Sequence, residues 1–191
     1  MKTNRYSGRA AICALALAVT GCANVPSSPE TLARFSGSYE VVAQAGPKAF
    51  EFTQIDLRFN RDSNGIASAN VRLTNGETSV DYVYLNCGYP GDRIANSFSI
   101  SEKPGDSEVI RCQQSVPRGP VLFVARAVDG RPLKFNGYSG GMISALFAKT
   151  VVSESGWKIG LNWGPDTQSR YAVRRRPENS ADTTNALRTA E

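Results

Sequence analysis

Between residues 54 and 73 apolar and polar side chains alternate nearly one for one. Gln54-Ile55-Asp56-Leu57-Arg58-Phe59 and Ala67-Ser68-Ala69-Asn70-Val71-Arg72-Leu73 each put their apolar residues on one side of an extended chain, the signature of a half-buried strand. Asp62-Ser63-Asn64-Gly65 lies between them and supplies turn chemistry, so the pair reads as a β-hairpin. Asn75-Gly76 marks a second reversal before SVDYVYLNC, and Asp129-Gly130 and Glu154-Ser155-Gly156 mark two more. Further strand candidates lie in SFSIS, SEVIRCQQ, PVLFVARA, VVS, WKIGLNW and SRYAVRR. Short strands separated by turns every ~8–12 residues predict an all-β fold, an antiparallel meander closed as a small barrel or packed as a sandwich.

Two segments depart from this rhythm. Ser28-Pro29-Glu30 carries a capping side chain, a proline for the first turn and an acid near the positive helix end, which predicts a short N-terminal helix through TLARF. In 142–150, Met142, Ile143, Leu146, Phe147 and Thr150 fall at helical spacing, yet the run is apolar enough for a buried strand. Its continuation into the Glu154-Ser155-Gly156 turn favours a strand; a helix there would make the fold β-rich α+β. PENSADTTNALRTAE at the C-terminus is polar and without period. The expected organisation is a leader over 1–21, a tether over 22–29, one globular domain over 30–176 and a disordered tail over 177–191.

Charge changes the picture only until it is divided along the chain. The 22 basic and 17 acidic residues give +5, but Lys2, Arg5 and Arg9 all lie in the leader, and the remaining 19 against 17 are nearly balanced. The basic start MKTNRYSGR is followed by the apolar run AAICALALAVTG, about 12 residues, too short to span a ~30 Å hydrocarbon core and suited to a signal peptide. The run ends in Val19-Thr20-Gly21-Cys22, which resembles the lipobox of bacterial lipoproteins. The resemblance covers residues 1–22 alone. It implies lipidation of Cys22, cleavage between Gly21 and Cys22 and acylation of the new amine. Three acyl chains exceed what stable anchoring requires, at ~0.8 kcal/mol per buried CH₂. Ala23, where inner-membrane lipoproteins typically carry Asp, implies the outer membrane.

Export leaves Cys87 and Cys112 as an even pair in an oxidising compartment, which reads as a disulfide. Closing a loop of about 26 residues contributes about 3.5 kcal/mol in the chain-entropy model. A metal site would need further ligands, and the chain has no histidine. No cofactor is expected.

The missing histidine also bears on Gly137-Tyr138-Ser139-Gly140-Gly141, which matches the G-x-S-x-G of a nucleophile elbow. A serine hydroxyl needs a base, and only Lys134, Lys149 or a carboxylate stands near in sequence. Ser155-Gly156-Trp157-Lys158 matches the S-x-x-K of penicillin-interacting enzymes, but S-D-N and K-T-G are absent. Glu51, Asp56, Asp62, Glu77, Asp81 and Asp92 show no spacing that singles out a catalytic pair.

Aromatic and basic side chains supply the remaining candidates. Tyr82, Tyr84, Trp157 and Trp163 lie on strand candidates, with Tyr82 and Tyr84 sharing a face. They are read as core packing or as the lining of a groove or barrel mouth. Arg174 and Arg175, with Arg170 and Arg176, gather positive charge near the domain's end. The expected function is a non-enzymatic binding or envelope-assembly module on the outer membrane, held through Cys22, with an envelope protein, glycan or lipid as partner and no nucleic acid. The alternative is a lipocalin-like carrier of a small apolar ligand, lined by Phe52, Ile55, Leu57, Phe59, Tyr82, Tyr84 and Phe123. Gly37-Ser38-Tyr39 is loosely similar to that family's G-x-W start, without its tryptophan. An envelope hydrolase is the third reading.

Overall fold

The protein is described by a computed structural model covering residues 24–46, 51–92, 94–95, 107–114, 121–137, 149–164 and 167–177. Among these residues one helix and eleven strands occur in chain order: β1 (Val25–Pro26), α1 (Pro29–Phe35), β2 (Gly37–Ala45), β3 (Gln54–Arg61), β4 (Ala67–Asn75), β5 (Thr78–Tyr89), β6 (Ser107–Gln114), β7 (Val121–Ala127), β8 (Leu133–Gly137), β9 (Lys149–Ser153), β10 (Trp157–Gly164) and β11 (Thr167–Arg175). Eight of them, β2 to β7 with β10 and β11, form a closed antiparallel ring. The ring closes twice over long sequence distances, where β11 pairs with β2 and β10 with β7. The sandwich alternative is thereby set aside in favour of the barrel. β8 and β9 form a separate hairpin packed outside it on β2 and β11.

Local sequence explains most of these elements. Ile55, Leu57, Val71 and Leu73 point inward while their alternates point out, so one register buries all four together. In its turn the Asp62 carboxylate accepts from Asn64 N (2.9 Å) and Ile66 N (2.8 Å). Gly76 and Gly130 hold positive φ in the turns expected for them. Ser28 caps α1 through Thr31 N, with Pro29 in the first turn and Glu30 beside it. The ambiguous segment resolves in part: 149–153 is strand, while 142–148 and the SFSIS candidate lie outside the described residues, as do the leader and the tail beyond Pro177.

An eight-stranded barrel is just wide enough for its interior to be filled by side chains or to hold one small ligand. Here Phe35, Tyr39, Ile55, Leu57, Leu73, Tyr84, Ile110, Leu122, Ile159 and Tyr171 are fully buried in one interior core. Cys87 and Cys112 are bonded across β5 and β6 within it. Phe123 corrects the expected lining. It pairs with Gly160 on the outer face, against Ala95, Ala125 and Leu133, because β7 is apolar on both faces and its outer one is covered.

Candidate functional site

The barrel has two chemically different ends. At one, α1 lies across the opening and drives Leu32 and Phe35 into the core. Trp157, at the start of β10, packs edge-on to Phe35 and beside Tyr39, both ring centroids 5.5 Å away. The Arg126 and Arg175 guanidinium carbons stand 5.6 and 6.0 Å from the centre of its ring. Arg175 also donates to Ser36 O just past the helix (2.8 Å), and Tyr39 Oη donates to Phe35 O (2.7 Å). Trp157 and Arg175 therefore hold the plug in place.

The opposite end is an aromatic mouth. Tyr82 and Tyr84 do share the inward face of β5, with ring centroids 6.3 Å apart; Tyr84 is fully buried and Tyr82 half-buried. Tyr171 joins them from β11 with Phe52 6.3 Å away. Burial pushes the Tyr84 and Tyr171 phenols well above their ordinary range, so both stay neutral hydrogen-bonding groups at physiological pH. Ser169 stands beside Tyr171 and opposes that rise, yet among the described residues neither Ser169 Oγ nor Tyr84 Oη has a hydrogen-bond partner. Trp163 lies in β10, but its side chain is outside the description.

Among the described residues, pockets open on the outer wall at two places at least. One, of about 410 Å³, lies over β3, β4 and β5 and is lined by Asp56, Arg58, Asn70, Arg72, Asp81 and Val83. Arg72 Nε and Asp81 Oδ1 form an exposed ion pair across it at 2.8 Å. Ser38 and Gln54 hold the Asp56 carboxylate, and Val83 stands exposed. The second, of about 330 Å³, lies between β2, β9 and β11 and includes Ser153, Glu154, Ser155 and Arg174.

The expected cluster of arginines is dispersed by the geometry. Arg174 is exposed with Glu40 at 3.9 Å, Arg176 donates to Gln54 Oε1 (3.1 Å), Arg175 serves the plug, and Arg170 is buried under the outer hairpin. Beside Arg170 lies a residue whose surroundings the sequence did not reveal. Lys158, on the outward face of β10, is fully buried and its amine is pulled down to about 6, first by desolvation and then by Arg170. It sits in register between Ala125 and Ala172, which pack with Leu133 and Val151 of the β8–β9 hairpin.

Neither serine motif assembles a catalytic pair among the described residues. Ser155 Oγ donates to Val173 O and receives Trp157 N, which fixes it as a turn residue. Ser139 lies outside the described residues, and Lys134 is exposed. Among the described residues no three metal-ligating side chains converge, and no helix is long and apolar enough to cross a membrane.

Fold and surface together define a small up-and-down β-barrel, plugged at one end and aromatic at the other. No family model, no curated protein and no solved structure matches this chain.

Proposed function

We propose that the protein is an outer-membrane lipoprotein, acylated at Cys22, whose barrel is a non-enzymatic binding module that works through its outer wall. One observation carries this reading: the interior from Phe35 to Tyr171 is occupied by the barrel's own side chains, while the 410 Å³ groove over β3–β5 is open to solvent. That groove alternates Arg58, Asn70, Arg72 and Asp81 beside the exposed Val83, a surface suited to a partner with hydrogen-bonding groups and a small apolar element, such as a glycan or a protein loop. Anchoring raises the local concentration of such a partner, so a shallow site suffices. The test is photocrosslinking in membranes from positions 70 and 83, with position 134 as control. A specific adduct from the groove, lost in Arg58→Glu/Arg72→Glu, supports the module. Adducts spread equally over the three positions sink it.

The carrier reading retains one observation. The Tyr84 hydroxyl is buried without a partner among the described residues, and a small guest bringing one polar group to it would satisfy it. Its test is mass spectrometry of organic extracts from protein purified in detergent; a stoichiometric small molecule lost in Tyr84→Phe supports it, and a clean extract removes it.

A further inference from the structure

The chain just downstream of the acylated cysteine is docked, where a tether was expected. Asn24 donates through Nδ2 to Asn86 O (2.5 Å) and Arg111 O (2.8 Å), and Arg111 Nη1 donates back to Asn24 Oδ1 (3.2 Å). Val25 and Pro26 pair with Tyr89 and Gly88 at the end of β5, and Arg61 donates to Ser27 O. Two features of β5 receive this segment. Asn86 holds a left-handed φ of 52° where the β5–β6 register shifts, and its carbonyl accepts from Asn24. Gly88 leaves the room Val25 needs: a Cβ there would stand 2.2 Å from Val25 O.

From Asn24 into α1, then, the chain is fixed to the barrel. Cys22 is two peptide links further, so its Cα lies within about 7.6 Å of that of Asn24. Tyr89 ends β5 at the rim that α1 plugs. The turns of that same rim carry Ile66 and Val128, which with Val25 are three of the large apolar side chains left exposed, at 47%, 57% and 59%. The opposite rim holds the tight Asn75-Gly76 turn, with Glu77 exposed. Strands of eight residues at ~3.3 Å per residue, tilted by roughly 40°, separate the two rims by about 20 Å.

We infer that the acylated protein stands on the membrane in one orientation, its plugged rim against the lipid headgroups and its tyrosine mouth facing away, because the leash from Cys22 is too short to let it turn over. The partner of the plugged rim is a lipid surface. This rests on the reading of Cys22 as the lipidated residue. The leash sets which rim meets the bilayer, and Val25, Ile66 and Val128 give that rim an apolar edge to place at the interface.

The experiment uses full-length protein matured in cells and reconstituted in phosphatidylethanolamine–phosphatidylglycerol vesicles containing a nickel-chelating lipid. Nitroxides are placed at Ile66→Cys, Val128→Cys and Glu77→Cys, and intact mass reports acylation of each sample. With the acyl mass present, relaxation by the nickel lipid is expected to be at least threefold stronger at 66 and 128 than at 77. Asn24→Ala/Gly88→Ala, which frees the leash, should bring that ratio below 1.5; Asn24→Ala alone serves if the double variant fails to fold. Equal relaxation at the two rims of acylated protein overturns the orientation while leaving the anchor intact. A mature protein without acyl mass overturns both.

Discussion

Tyr39 and Tyr84 are the same residue in the same full burial, one packed against Trp157 under the plug and the other midway along β5 beside Tyr82. Tyr39 gives its proton to Phe35 O and lies against Trp157; Tyr84 gives its proton to no described group. The plugged end is satisfied in its hydrogen bonds and braced by two arginines, as a structural element must be. The open end leaves polar atoms unsatisfied inside an aromatic wall, a departure that structural packing alone does not reward. Identical side chains thus separate a region whose phenol is paired from one whose phenol has no partner among the described residues.

The contrast can be tested by removing one side chain at a time. Phe35→Ala empties the plug and is expected to cost about 3–5 kcal/mol; guanidinium unfolding of the variant would report it, and a loss under 1 kcal/mol would mean that α1 is not needed to close the barrel. Lys158→Met tests whether the wall, more than either end, sets the pH response. Folded Lys158 titrates near 6 and unfolded lysine near 10.5, so the unfolded chain binds more protons between those values and native stability rises with pH across the window. The variant should gain roughly 1–3 kcal/mol at pH 6, with the gain shrinking toward pH 10; an equal gain at both pH values contradicts the assignment.

Smaller effects discriminate more finely. Tyr39→Phe strands a carbonyl and should cost about 1–2 kcal/mol, whereas Tyr84→Phe removes an unsatisfied group and should be neutral or gain up to about 1 kcal/mol. Equal losses would erase the contrast between the ends. Least of all, Arg72→Ala should leave stability unchanged within error, since its ion pair with Asp81 is exposed. A melting curve coincident with wild type, alongside any loss of partner binding, would mark the groove as functional surface.

What could be read in advance followed from how local each signal was. The hairpin of β3 and β4 was legible because alternation, turn and register all lie within about twenty residues. The helix was legible from Ser28 and Pro29 in the same way. Closure of the ring was not, because Tyr39 meets Arg175 only across the whole domain and no local pattern encodes that pairing. Tyr82, Tyr84 and Trp157 were grouped as aromatics, yet strand direction sends Trp157 to the opposite end. Lys158 occupies a polar place in an alternating strand and should face water; β9 of the hairpin that covers it begins within 142–150, whose own pattern is ambiguous. Asn24 looked like a linker residue because its partners, Asn86 and Arg111, are distant in sequence.

The covalent bridge between Cys87 and Cys112 lies at the ring's thinnest seam. β5 and β6 share three register pairs with a shift among them, against eight between β3 and β4. A cylinder opens where its staves are least joined, so a reducing milieu would convert this one into a curled ribbon with two bare margins, each free to recruit a foreign strand. Thiol chemistry therefore guards the closure of the ring as much as its melting point.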